Sequence, residues 1–171
     1  MGDPKRQRKK FSKPSHPWQK DRIDAEKEIL KQYGLRRKQE IWKINSMLQS
    51  FLNRAKTIIG SRSKQSELEK KQLLDRLHVL GLLGKDSKIE DVLNLTLKNF
   101  MERRLQTLVF RKQIANSVMQ ARQFITHEHI VVGKRKITSP AYMVTLSEES
   151  QIKAVKVLNV TPVAVKSAEA K

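Results

Sequence analysis

Apolar residues recur at spacings of three and four in the first half of the chain, and this pattern sets the class of fold. Side chains at such spacings share one face of an α-helix. The clearest run predicts a long amphipathic helix that ends near Gly60, and its apolar members are Ile41, Ile44, Leu48, Phe51, Leu52 and Ala55. A shorter helix is predicted to start at Asp21 and to stop at Gly34.

Serine and glutamate three residues apart mark two further helix starts. Ser66 with Glu69, and Ser87 with Glu90, have the S-x-x-E spacing of a capping box. Leucines at helical spacing follow the first box as far as Gly81. We expect these helices to form a scaffold, with Trp42 packed in its core or, alternatively, on a surface for a partner.

The pattern changes after residue 98. Asn99 is predicted to cap one helix, and Ser117 with Gln120 a second. Residues 130–132 then read as a strand, 133–136 as a basic turn and 142–146 as another strand. The last residues alternate weakly and contain Pro162, which is typical of an extended segment.

The expected fold class is α+β, in four parts. These are a basic extended tail at 1–20, a helical domain at 21–98, a small helix-helix-strand-turn-strand domain at 99–147 and an extended segment at 148–171. At 171 residues the chain is long enough to bury a core.

Positive charge is the first indication of function. The chain carries 36 Lys and Arg against 17 Asp and Glu, a formal net charge of +19. Such a surplus repels itself, and a polyanion that offers many phosphates is the usual partner. A merely soluble basic protein and a membrane-binding protein are the alternatives, but the latter would place its cations on an amphipathic helix. Charge alone does not separate RNA from DNA.

The charge lies in two concentrations. Residues 1–20 carry seven basic residues and one acidic, and the tail's basic run is predicted to become ordered among phosphates: Lys5, Arg6, Arg8, Lys9 and Lys10. Residues 101–136 carry eight basic residues and two acidic. These sit on helix starts, helix faces and a turn, which predicts an outward-facing surface for folded RNA: Arg103, Arg104, Arg111, Lys112, Arg122, Lys134, Arg135 and Lys136.

Catalytic and metal-binding patterns are absent from the sequence. Without cysteine there are no disulfides or thiolate zinc sites. His127 and His129 could ligate a metal but lack carboxylate company, so solvated or phosphate-contacting histidines are preferred. The glycines are scattered singly, so no nucleotide-binding loop is present. We therefore predict no enzyme, no cofactor, no metal and, because apolar stretches are short, no membrane span; the expected location is cytoplasmic.

Two stretches resemble a known domain. RRLQTLVF at 103–110 and ARQFITHEHIVVGK at 121–134, with Ser139-Pro140 after them, closely resemble the RNA-binding domain named after small-subunit ribosomal protein S-four. Outside it, GDPKRQRKK at 2–10, PSHPW at 14–18, YGLR at 33–36 and residues 77–83 resemble the archaeal and eukaryotic branch of that ribosomal protein family. The likeness covers residues 2–165.

The resemblance implies a structural protein that attaches early to small-subunit rRNA, at a junction of helices in its 5′ domain. It also implies ribosomal protein S-five and mRNA as neighbours, where mRNA enters the subunit, and an influence on assembly and accuracy. By matching position, the RNA surface would include Arg103, Arg104, Ser117, Gln120, Arg122, Gln123, Lys134, Arg135 and Lys136. The cysteine zinc knuckle of some bacterial relatives is missing here.

Two other functions stay open at this point. An assembly factor of the same fold would bind precursor rRNA and leave before maturation. An RNA-modifying enzyme, such as a pseudouridine synthase, would carry this domain beside a larger catalytic body.

Overall fold

A computed structural model of the chain describes Gly2, residues 9–61 and residues 63–155. The fold divides into two compact units, residues 1–102 and 103–171. The described residues are mostly helical, with one small antiparallel sheet in the second unit. The predicted α+β class is confirmed.

From Lys20 to Glu102 the described residues of the first unit form helices joined by loops, whereas residues 9–19 are not helical. The helices are α1 (Lys20–Gln32), α2 (Lys38–Gly60), α3 (Lys64–Val79), α4 (Ile89–Leu93) and α5 (Leu97–Glu102). The long helix α2 packs against each of the others. The face predicted from its apolar spacing is buried, except that Leu52 is half-buried. The Phe51 and Phe100 rings stack at 5.9 Å between centroids.

Helix ends in this unit follow local chemistry. Gly34 ends α1 at φ +56°, and Leu35 N–H then donates to the Leu30 carbonyl at 3.0 Å. The predicted cap at Ser66 is wrong: Ser63 caps α3 three residues earlier, and its Oγ accepts from Ser66 N–H at 3.2 Å. The Ser66 side chain is buried instead, and its hydroxyl is satisfied there because it donates to the Ser63 carbonyl at 2.6 Å.

The second predicted cap is displaced by one residue. Helix α4 begins after Lys88, whose backbone N–H donates to the Asp91 carboxylate at 2.7 Å. Trp42, expected in the core, is only half-buried and lies at the edge of the core, where its indole N–H donates to Glu26 at 3.0 Å.

The second unit contains three helices and a three-stranded sheet. Its elements are α6 (Leu105–Arg111), α7 (Val118–Thr126), β1 (Ile130–Val132), β2 (Arg135–Lys136), α8 (Leu146–Glu149) and β3 (Ile152–Ala154). The strands lie in the order β2-β1-β3, all antiparallel. One apolar cluster joins helices and sheet, and it includes Leu105, Val109, Ala121, Ile125, Ile130, Val132, Val144 and Ile152.

The predicted helix from Asn99 is wrong in its start and its length. Helix α5 already begins at Leu97 and ends at Glu102, and α6 begins at Leu105. Arg104 between them is extended and pairs with Met143 in an antiparallel bridge. Leu105 N–H donates to the Tyr142 carbonyl at 2.8 Å, and these long-range backbone bonds replace the helical ones.

The strand at 130–132 is confirmed, but the strand predicted at 142–146 is wrong. Beyond the bridge at Met143, Thr145 starts the short helix α8: its Oγ1 accepts from Glu148 N–H, and the Glu148 carboxylate accepts from Thr145 N–H at 3.1 Å. The third strand comes from residues 152–154. Residues 156–171 of the predicted extended segment lie outside the described residues.

Candidate nucleic-acid interface

The basic turn is a tight hairpin between β1 and β2. Only Gly133 and Lys134 form the loop, while Arg135 and Lys136 belong to β2, so the predicted four-residue turn is too long. Gly133 has φ +61° and Lys134 is not left-handed, as in a type II′ turn, which suits the twist of two antiparallel strands. The turn therefore projects Lys134 into solvent.

The register places two lysines on one face of the sheet. Val131 pairs with Lys136 on β2 and with Lys153 on β3, so these three side chains form one cross-strand row. The alternate residues Ile130 and Val132 are buried, so the row lies on the outer face. Both lysines are exposed, and about 10 Å, two strand spacings, separates their backbones.

Acidic groups near this face are few in the described part of the unit. The Glu128 carboxylate lies 3.8 Å from the Lys136 ammonium, and both side chains are more than half exposed, so the pair is weak. We call Lys134, Lys136 and Lys153, around Val131, the lysine face.

Arg135 lies on the opposite side of the sheet from Lys136, because adjacent residues of a strand alternate. Arg135 is exposed, and its positive charge acts to lower the pKa of two nearby groups: the Tyr142 hydroxyl in the loop before α8 and the Glu148 carboxyl within α8. Burial alone would raise the pKa of the Glu148 carboxyl, but hydrogen bonds from Thr145 and Tyr142, with the field of Arg135, lower it. The Tyr142 pKa is raised, chiefly because its hydroxyl donates to Glu148 at 2.8 Å.

The arginines at the start of the unit face inward. Arg104 is 1% exposed, so the expectation that its side chain projects outward is wrong. The Arg103 side chain is 12% exposed and donates to Glu149 at 2.7 Å and to the Val144 carbonyl at 3.2 Å. Both depart from the prediction: the Arg103 side chain donates into the 143–149 segment, and Arg104 is buried in the extended backbone between α5 and α6.

The end of α6 and the start of α7 carry the next predicted residues. Arg111 and Lys112 are exposed, and the Lys112 ammonium donates to the Glu149 backbone carbonyl. Ser117 caps α7 as predicted, since its Oγ accepts from Gln120 N–H at 3.1 Å. The Gln120 side chain in turn accepts from Asn116 N–H at 2.8 Å, so both polar side chains hold the helix start.

Further along α7, Arg122 is half-buried and Gln123 is exposed. His127 is exposed at the end of the helix, with its ring 6.4 Å from that of His129. In the tail, Lys9 and Lys10 are exposed, while Lys5, Arg6 and Arg8 lie outside the described residues.

Comparison with known proteins identifies the family. The model of the S4 domain matches residues 103–150. The chain is 45% identical over 152 residues to small ribosomal subunit protein uS4 of Hyperthermus butylicus, covering 89% of this chain and 86% of the relative. It is 46% identical over 155 residues to the uS4 protein of Picrophilus torridus, with 89% and 85% covered.

The chain belongs to the uS4 family. The uS4 protein of Saccharolobus solfataricus is similarly related, at 44% identity over 153 residues. Membership of this family confirms the predicted class, a structural and RNA-binding ribosomal protein of the archaeal type, which is cytoplasmic and not an enzyme.

Sequence reasoning missed one residue of the candidate interface in this uS4 family member. Lys153 stands beside Lys136 only because β3 pairs with β1, and the sequence predicted a different strand in that place. The signal was weak but present: Ile152-Lys153-Ala154 alternates apolar, basic and small, with Ile152 buried.

The described residues of the uS4 chain give no grouping of three or more His, Cys, Asp or Glu side chains suited to a metal ion. Within the same residues, no helix has the length and apolar character needed to cross a membrane.

Proposed function

We propose that this uS4 family member is a structural protein of the small ribosomal subunit and binds small-subunit rRNA through the lysine face. The observation that carries the proposal is the row Lys136-Val131-Lys153, with Lys134 on the adjoining turn. Ammonium groups at fixed spacing on a rigid sheet are suited to successive phosphates. Counterion release on such contacts supplies much of the affinity.

Other predicted residues take two roles in this proposal. The exposed Arg111, Gln123, His127, Lys9 and Lys10, with the half-buried Arg122, would extend the contact with RNA beyond the lysine face. Arg103 and Lys112 would act as positioning residues, since their donors hold the segment around Glu149 against α6. Arg104 would support the same region from inside the unit, and Ser117 and Gln120 would fix the start of α7.

Binding to an rRNA transcript tests the proposal. We expect the affinity of the wild-type chain for small-subunit rRNA to fall steeply with salt, with a log-log slope that decreases in magnitude by about two in the double variant K136A/K153A. K27A is the matched control, because Lys27 is an exposed lysine of α1 that pairs with Asp24 at 2.9 Å. An unchanged slope in K136A/K153A would contradict the assigned surface.

Two further partners are proposed from the resemblance to this family. We infer that the chain lies next to ribosomal protein S-five, near the place where mRNA enters, and contributes to assembly and to accurate decoding. Chemical cross-linking in assembled subunits, followed by mass spectrometry, should join this chain to S-five. Absence of that cross-link from subunits that contain both proteins would refute the proposal that this chain lies next to S-five.

The assembly-factor alternative makes a different prediction. A structural protein remains stoichiometric in finished small subunits after a salt wash, whereas an assembly factor is found only on precursor particles. Sedimentation of washed subunits with quantification of this chain separates the two.

A further inference from the structure

Trp18 is an exposed aromatic residue with no packing role in the described structure. Its side chain has 91% of its surface exposed, whereas Trp42 is half-buried and hydrogen-bonded to Glu26. Tryptophan is highly buried on average, because its ring offers a large apolar area. An indole that is almost wholly exposed to water therefore indicates a contact site for a binding partner.

The backbone that carries Trp18 is held in place on both sides. The Arg22 guanidinium donates to the His16 carbonyl at 3.0 Å and to the Pro17 carbonyl at 2.9 Å. Arg22 is itself fixed by Glu26 at 2.6 Å. Helix α1 begins two residues after Trp18, and Ile23 N–H donates to the Gln19 carbonyl at 3.1 Å. The indole is thus presented by an ordered backbone, which lowers the entropy cost of binding through it.

Earlier in the segment, two contacts tie the chain to helix α2. Ser12 N–H donates to the Ser46 hydroxyl at 3.1 Å, and the Phe11 ring lies 6.0 Å from Trp42. Residues 11–19 therefore run along the helices of the first unit, and together with the flanking residues 9, 10 and 20 we call them the arm.

The arm is cationic. Between residues 9 and 20 the chain has no acidic residue, and its basic residues are exposed: Lys9, Lys10, Lys13 and Lys20. A hydrophobic pocket on another protein would be poorly matched, because lysines are depleted where such pockets close. A flat aromatic ring among ammonium groups is matched by nucleic acid, whose bases offer a stacking face and whose phosphates offer negative charge.

We propose that Trp18 stacks on an unpaired base of the bound RNA while the arm's lysines contact the adjoining phosphates. The inference rests on the proposed rRNA function, and it adds a second contact region on the first unit. An unpaired base is required because the edges and faces of paired bases in an RNA helix are not open to stacking by a side chain.

Substitution at Trp18, read with a small-subunit rRNA transcript as the probe, tests the inference. W18A should weaken binding about 5- to 150-fold, while its salt slope stays that of the wild type because the indole carries no charge. W18F should recover most of the loss, since phenylalanine still stacks. L68A is the matched control, because Leu68 is 59% exposed on α3 of the same unit.

Two further readouts locate the contact. Tryptophan fluorescence of the wild type should be quenched by the RNA, and in W18F, where Trp42 alone emits, the quenching should be largely lost. Chemical probing of the RNA should show at least one unpaired base that the wild type protects and W18A leaves reactive.

The outcomes separate this inference from the function on which it rests. If the wild type binds with the expected salt slope and W18A binds equally well, the stacking contact is refuted and the lysine face stands. If W18A binds RNA normally but fails to join subunits when the other proteins are present, the indole contacts a protein and the inference is likewise overturned. If the wild type shows no salt-dependent binding to the rRNA, both the proposed rRNA function and the stacking contact are refuted.

Discussion

The Arg103 guanidinium donates to the Glu149 carboxylate at 2.7 Å across 46 residues of sequence, and joins the start of α6 to the end of α8. The same guanidinium donates to the Val144 carbonyl at 3.2 Å. An arginine that the sequence assigns to RNA is therefore committed to the interior of its own unit.

We accordingly expect R103A to destabilise the second unit by about 1–3 kcal/mol, because the substitution leaves the Glu149 carboxylate and the Val144 carbonyl without their donor. Urea unfolding followed by circular dichroism measures the change. K134A, at the exposed turn, is the control and should stay within about 0.5 kcal/mol of the wild type. Equal stability of R103A and K134A would argue that the contact contributes nothing.

Stability at acid pH should depend on Glu26. Burial alone would raise the pKa of this carboxyl, but hydrogen bonds from Trp42, Arg22 and Lys38, with the charge of Arg22, lower it below its ordinary value of 4.5. A carboxyl with a lowered folded pKa stabilises the fold fully above the unfolded pKa and loses this contribution as pH falls through the folded value.

E26Q should therefore be less stable than the wild type at pH 7 and should lose less stability between pH 5 and pH 3. Urea unfolding across this range, followed by Trp42 fluorescence in a W18F background, gives both quantities. E28Q, which changes an exposed carboxyl of the same helix, is the control. If the wild type and E26Q lose the same free energy of unfolding between pH 5 and pH 3, Glu26 is not the source of the acid sensitivity.

The hairpin should depend on glycine at position 133. Its φ of +61° disfavours any residue with a Cβ, and a Cβ there would lie 2.7 Å from the Gln151 side-chain oxygen, which can move away. G133A should cost about 1–2 kcal/mol from the backbone conformation. In G84A the added Cβ meets only Ser87 Oγ, at an ordinary 3.5 Å, so that variant should unfold in urea much as the wild type does.

Gln113 offers the reverse test. It ends α6 in the left-handed conformation, φ +57°, where Ile114 N–H donates to the Val109 carbonyl at 3.2 Å. Q113G should stabilise the unit by about 0.5–1 kcal/mol, because glycine adopts this conformation without the Cβ penalty. Q123G, within α7, should instead destabilise it by about 1 kcal/mol. A loss of stability in both variants would show that the helix end is not strained.

The long helix could be predicted because its information is local. Six apolar positions repeat over four turns of α2, and their burial needs no distant partner to specify it. Gly34 and Ser117 mark helix ends for the same reason, since each acts on residues a few positions away. The composition of the hairpin likewise located Lys134 and Lys136 on the candidate interface.

The errors fall where distant residues decide the local structure. A continuous helix through Arg104 satisfies the apolar spacing, but the backbone bonds to 142–144 break it and turn the side chain inward. The segment 142–146 is rich in strand-forming residues, yet Thr145 and Glu148 cap a helix there. Lys153 could be placed only once the pairing of β3 with β1 was known.

The antiparallel bridge between Arg104 and Met143 also has a consequence for biosynthesis. Helix α6 emerges from the peptide exit tunnel before the residues that hold its first turn. Val144 comes 41 positions after Arg103, and Glu149 comes 46 positions after Arg103. The first unit is complete by then, since its last helix ends at Glu102. The nascent chain therefore exposes the whole first unit while α6 still lacks its partners in residues 143–149, which leave the tunnel after it.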